Sequence, residues 1–311
     1  PEKRNRLQYK PVACCKYGGV GAMTMKTVLV PIEESEGLES ILETALLTAR
    51  IFGSYIEGLY YQPTAASAMV VAGEGLVVTT PELVESVEQR DRDRRQKVHQ
   101  FFTEFMESRG IPVGPAVSPR SPVQANWIEE DSPNSEIVGS RSRVFDITAV
   151  ARPTKGANIA AMSILEAALF EGGKPILIAP PNVPDQLGKN IAIAWNGSTE
   201  TARTIAFSMP FINRAKRVTI ITIEDFGVPG PSADELARQM EWNGIEIETD
   251  TKHVDRSKES PGKVFLDEAE EIGADLLVKG AYTQSRIRQM IFGGATDYIL
   301  WNSQIPVLMA N

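Results

Sequence analysis

The chain states one structural plan twice, and that doubling constrains the fold more than any other feature. Lys26-Thr27-Val28-Leu29-Val30-Pro31 is an apolar strand followed by Glu33-Glu34-Ser35. A helical pattern comes next, with Leu38, Ile41, Leu42, Ala45, Leu46 and Ala49 on one face and Gly53 as its stop. The same order returns at Asn190-Ile191-Ala192-Ile193-Ala194-Trp195, then Asn196-Gly197-Ser198, then a helix carrying Ala202, Ile205, Ala206 and Met209. Each half continues into another strand, Tyr55 to Tyr60 and Arg217 to Ile223. The ends correspond as well. Phe145 to Val150 parallels Ala274 to Lys279, and Leu165 to Phe170 precedes Pro175 to Ala179 as Tyr298 to Trp301 precedes Pro306 to Ala310. Strands separated by helices require a parallel sheet with right-handed crossovers. The expected fold is therefore α/β, two tandem open parallel sheets with helices on both faces.

The intervening segments fit this plan. Pro81 to Ser108 reads as a long helix with Val98, Phe101, Phe102 and Phe105 at core spacing. Its charged run pairs Glu88–Arg92, Asp91–Arg95 and Asp93–Lys97 four residues apart, the pattern of a solvated helix face. Ser232-Ala233-Asp234-Glu235 is a capping box for a helix closed by Gly244, and Ile245 to Glu248 alternates like an edge strand. Pro180-Pro181-Asn182-Val183-Pro184 links the halves. The boundaries expected are 1–25 for a disordered or non-native extension, 26–181 for the first domain and 188–311 for the second. Residues 62–80, rich in Ala, Val and Gly, read as an irregular insertion.

Composition narrows the function. The formal net charge is −8, and the first 25 residues carry five basic side chains against Glu2, a net +4 that leaves −12 on the rest. Such a body repels nucleic acid and anionic membranes, so neither is expected as a partner. No apolar run approaches the roughly 18–20 residues of a membrane span, and a cytoplasmic protein is expected. The two cysteines are the neighbours Cys14 and Cys15, and the two histidines, His99 and His253, lie in separate halves. Zinc sites and histidine-based triads need more than this, so no metal-ligating and no catalytic residue is assigned.

The chemistry concentrates in Lys279 to Thr296. An apolar strand leaves through Gly280, Arg286 and Arg288 follow, and Gly293-Gly294 opens a helix. Glycine admits close approach of the backbone to a phosphate, and helix-start amides present partial positive charge to it.

This architecture resembles the universal stress protein family in its tandem form, over residues 26 to 311. The resemblance implies five parallel strands in each domain, of the adenine-nucleotide alpha-hydrolase-like type. ATP-binding members carry G-x2-G-x9-G-[ST] after the fourth strand. Gly280 takes the first position, Thr283 stands at the second glycine, Gly293 is the third, and Gly294 occupies the Ser/Thr position. Thr296, two residues on, offers a replacement hydroxyl, and Arg286 a counter-charge. The family's Asp at the end of the first strand is Asn196 here, a residue that also suits the cap of the next helix. Backbone recognition of adenine maps to about Thr222 and Ile223.

The resemblance thus implies ATP, or ADP or AMP, with magnesium as a companion ion, bound in the second domain for sensing in a stress response. Hydrolysis is expected to be slow at most. The first half carries Ala151-Arg152-Pro153-Thr154 in place of the motif, with Glu33 and Glu34 nearby, and is expected to bind no nucleotide. The alternative is an interaction protein of the same fold that has lost nucleotide binding; an enzyme acting on another small anion is a third reading. The family's pairing of fifth strands implies a homodimer, or an intramolecular pseudo-dimer joined through Pro175–Ala179 and Pro306–Ala310.

Overall fold

The computed structural model describes residues 25–62, 81–115, 123–132, 134–153, 159–224, 226–245, 248–252, 259–281 and 294–311. The first half runs β1 (Thr27–Ile32), α1 (Leu38–Phe52), β2 (Tyr55–Gln62), α2 (Pro81–Ser108), β3 (Gln124–Asp131), α3 (Glu136–Ser142), β4 (Ile147–Val150), α4 (Ile159–Glu171) and β5 (Ile176–Ile178). The second runs β6 (Asn190–Ala194), α5 (Thr199–Ile212), β7 (Arg217–Ile223), α6 (Ala233–Glu241), β8 (Glu248–Lys252), α7 (Pro261–Glu271), β9 (Leu276–Gly280), α8 (Gly294–Asn302) and β10 (Val307–Ala310).

Strand order is β3-β2-β1-β4-β5 in one half and β10-β9-β6-β7-β8 in the other. Every pairing within a half is parallel. The halves join through an antiparallel β5–β10 ladder, Leu177 opposite Leu308, into one ten-stranded sheet. Both fifth strands are thereby flanked on both sides within the chain, so any contact between two chains must use another surface.

The sheet is covered on both faces, which is why its central strands are apolar throughout. Alternate residues serve opposite layers. Val28, Val30, Ile191, Ile193 and Val278 face α1, α2, α5 and α6, while Leu29, Ala192, Ala194 and Leu277 face α3, α4, α7 and α8. The halves meet again on each face. Phe52 of α1 packs edge-on against Phe211 of α5 at 4.8 Å. On the opposite face Arg152 Nη1 donates to the carbonyls of Trp301 and Ser303, at 3.2 and 2.9 Å, where α8 ends.

One polar clasp recurs in both halves. Asp146 Oδ2 accepts from Thr27 N at 3.0 Å, and Asp275 accepts from Lys189 N and Asn190 N at 3.1 Å each. In each half an aspartate just before the fourth strand fixes the chain entering the first.

Several expectations shift. Packing begins at Met25, one residue inside the expected extension, since its side chain is buried in the core. Phe101 is 39% exposed and only flanks Phe105, because the stripe that faces the sheet is Val98, Phe102, Phe105 and Met106. On α5 the exposed residues include Ala202 and Ala206, and the buried face is Thr201, Thr204, Ile205, Ser208, Phe211 and Ile212. Hydroxyls can line that face because they bond to carbonyls, as Thr204 does to Glu200 at 2.7 Å. On α2 the Glu88–Arg92 pair forms, but Arg95 reaches Glu129 of β3, and Arg94 and Lys97 reach Glu34. Part of the expected solvated face therefore clamps the helix to the sheet. The capping box at Ser232 and Glu235 is present, and the edge strand is described over Glu248–Lys252, with Glu246 and Ile247 outside the described residues. Cys14, Cys15, His253 and the insertion from 63 to 80 lie outside the described residues.

Candidate functional site

Register brings three of the expected residues to the carboxyl edge of the second half. Ala194 of β6 lies opposite Ile221 of β7 and Lys279 of β9. Counting on along the strands places Asn196, Ile223 and Gly280 beside one another, where parallel sheets present their ligand sites.

Asn196 begins the turn into α5. Gly197 adopts φ +76°, and Ser198 caps the helix by accepting from Thr201 N at 3.2 Å. The Asn196 side-chain oxygen accepts from Ser198 N at 3.2 Å and from the Thr201 hydroxyl at 2.6 Å. Its main-chain oxygen accepts from Val228 N at 3.0 Å. The following loop presses closely, for a Cβ on Gly230 would come within 2.6 Å of the Gly197 oxygen. The carbonyl of Ile223 accepts from Phe226 N at 3.2 Å. The Asn196 side-chain oxygen and the Ile223 carbonyl are thus both engaged within the protein.

Gly280 ends β9 against the first turn of α5. A Cβ there would lie 2.6 Å from Thr201 Oγ1 and 2.7 Å from the Glu200 carbonyl carbon. The absence of a side chain at Gly280 is accounted for by this packing. Gly294, the first residue of α8, has open space where a Cβ would be. Thr296 is buried; its hydroxyl donates to Ala281 O at 2.9 Å and accepts from Lys279 Nζ at 2.6 Å, so it is not a free phosphate donor. Thr283, Arg286 and Gly293 lie outside the described residues.

Lys279 is the residue the sequence reading passed over. It is 8% exposed, and its amine donates to Gly280 O at 2.8 Å as well as to Thr296. Burial pulls its pKa down to about 7. The amine therefore joins the strand exit to the helix entry, at the base of the loop between them. A lysine directly after the apolar run Leu276-Leu277-Val278, still within the strand, was the available signal.

The corresponding edge of the first half is differently built. Glu34 is held by Lys97 and Arg94, and the Lys97 hydrogen bond lowers its pKa. Its expected repulsion of phosphate is therefore offset by two cations. Burial raises the pKa of Glu33, whose charge in turn helps to raise that of Tyr61. Arg152 is committed to the end of α8. Among the described residues no three His, Cys, Asp or Glu side chains are grouped to hold a metal ion. No described helix is long and apolar enough to cross a membrane.

Fold and edge together define an α/β protein of two joined Rossmann-like halves, with a strand–loop–helix crossover at the carboxyl edge of the second. Residues 214–311 match the model of the universal stress protein family. A universal stress protein from Archaeoglobus fulgidus DSM 4304 has the same fold over 93% of this chain and 97% of its own, with a TM-score of 0.68 at 16% identity. A functionally unknown protein from Pseudomonas aeruginosa PAO1 aligns over 92% of each chain, with a TM-score of 0.51 at 13% identity. No curated protein matches the sequence.

Proposed function

We propose that the protein acts in a cytoplasmic stress response by binding ATP, or ADP or AMP, at the carboxyl edge of its second half. It senses the nucleotide rather than turning it over rapidly. The observation that carries this reading is the buried amine of Lys279 on Thr296, in the first turn of α8. A cation source and a helix start converge where the family motif holds phosphate, in the half that matches the family. The first half serves as a structural partner.

A second reading, an interaction protein without nucleotide, has its own support. Asn196 and Ile223 spend their oxygens on internal bonds, and Gly280 is explained by packing alone. Self-association as a homodimer belongs with this reading, through a surface other than β5 and β10.

Thermal melting with magnesium-ATP separates the two. Under the nucleotide reading, ligand at about 100-fold over Kd stabilises by about 2.7 kcal/mol, a rise of several degrees. An unchanged melting temperature at millimolar nucleotide sinks that reading and leaves the interaction protein.

A further inference from the structure

We propose that a phosphate group arriving at the start of α8 brings a proton into the site, taken up by Lys279, so that nucleotide binding is proton-linked. This rests on the nucleotide reading above and adds to it the residue that supplies the charge. The hydrogen bonds of the amine point this way. Gly280 O and Thr296 Oγ1 are its two acceptors among the described residues, and both are uncharged. A neutral amine has two N–H groups, and both are satisfied; an ammonium has a third, with no acceptor among the described residues. The Thr296 hydroxyl gives its own proton to Ala281 O, so it can only accept from Lys279.

The surrounding charges agree. From α8 the nearest carboxylate is Asp297, which accepts from Trp301 Nε1 at 2.7 Å. On α5 the one carboxylate is that of Glu200, whose main chain packs on Gly280. On α7 Lys263 and Asp267 pair with each other, Glu270 and Glu271 are exposed, Glu268 is half-buried, and the buried residues are Gly262, Val264, Phe265 and Ala269. The flanking strands β6 and β10 contain no titratable side chain. Burial is the one cause of the lowered proton affinity. The partial positive charge at the start of α8 opposes an ammonium there as well.

An anion at that helix start reverses each of these effects at once. It neutralises the helix end, accepts the third N–H and supplies the missing counter-charge. Lys279 therefore goes from neutral to protonated as phosphate binds, and the site prefers a phosphate dianion to a neutral ligand of the same shape.

Calorimetric titration of the full chain with magnesium-ATP, in buffers of different ionisation enthalpy, counts the protons. At about pH 8.5 the nucleotide's own phosphate ionisation, near pH 6, is complete. Wild-type protein is expected to take up close to one proton per nucleotide there, and affinity to fall about tenfold per pH unit above about 7. Lys279→Met, verified as folded by circular dichroism, is expected to bind with no such uptake and little pH dependence. Binding by wild type without proton uptake overturns the role of Lys279 and leaves the nucleotide reading intact. No binding between about pH 6 and pH 9 overturns both.

Discussion

Gly280 and Thr201 share a space that admits only one side chain. The end of β9 lies against the first turn of α5 so closely that a Cβ on Gly280 would stand 2.6 Å from the Thr201 hydroxyl and nearer still to its nitrogen. In the first half Gly37 lies on the helix side, and a Cβ built there would be 4.0 Å from that of Ala151. Gly280→Ala is expected to destabilise by about 1–3 kcal/mol through overpacking, whether or not nucleotide is present. Urea unfolding checks this through a lower midpoint at unchanged slope. A bulkier residue at Gly280 is consequently a poor probe of phosphate binding, because it disturbs α5 first.

The duplicated plan was legible because its periodic apolar strands and helices recur in order, and the Asp146 and Asp275 clasps show the repetition reaching single residues. The strand β3 escaped sequence reading. Gln124-Ala125-Asn126-Trp127-Ile128-Glu129-Glu130-Asp131 is an edge strand with only Ala125 fully buried, so it lacks the apolar run that marks the central strands. The strand and the helix that flank the crossover were legible in place, but their contacts were not. Spacing located the crossover from Gly280 to Thr296, yet hydrogen-bond partners depend on register between strands far apart in sequence. Nothing in the local sequence says that Thr296 would hold Lys279, or that Asn196 would spend its oxygen on Thr201.

Lys279 makes stability depend on pH. Its folded-state pKa of about 7 lies below the unfolded value near 10.4, so below pH 7 the amine is protonated in both states. Between about 7 and about 10 the unfolded chain binds more protons, and stability from this group rises with pH. Lys279→Met is expected to remove that rise and to be the more stable protein near pH 6, by a few kcal/mol in order of magnitude. Urea midpoints of both proteins at about pH 6 and pH 9 measure it. A wild-type excess over the variant that does not grow with pH would count against a buried neutral amine.

Gly294→Ser restores the hydroxyl that nucleotide-binding relatives are expected to carry. Because the Cβ position is open and the residue exposed, stability is expected to change by no more than about 0.5 kcal/mol. A working phosphate site gains one donor, worth about 1–2 kcal/mol or roughly tenfold in affinity. Equilibrium titration with magnesium-ATP compares the two proteins, and an unchanged affinity would place the phosphates away from the start of α8.

Arg152 makes the first half a support for the helix that opens the site. Its Nη1 reaches the carbonyls of Trp301 and Ser303, the end of α8 opposite the loop, where a cation also complements the helix dipole. Burial disfavours the charge, and Nε is buried without a hydrogen-bond partner, so the guanidinium is retained against a desolvation cost. Arg152→Met keeps much of the packing but leaves those two carbonyls without their donor. The expected loss is about 1–3 kcal/mol. Hydrogen exchange locates it: amides of α8, such as Ser303 N bonded to Ile299 O, should exchange faster, while those of α6 stay protected. If nucleotide affinity falls along with that protection, the half without the motif is holding the other half's site in place.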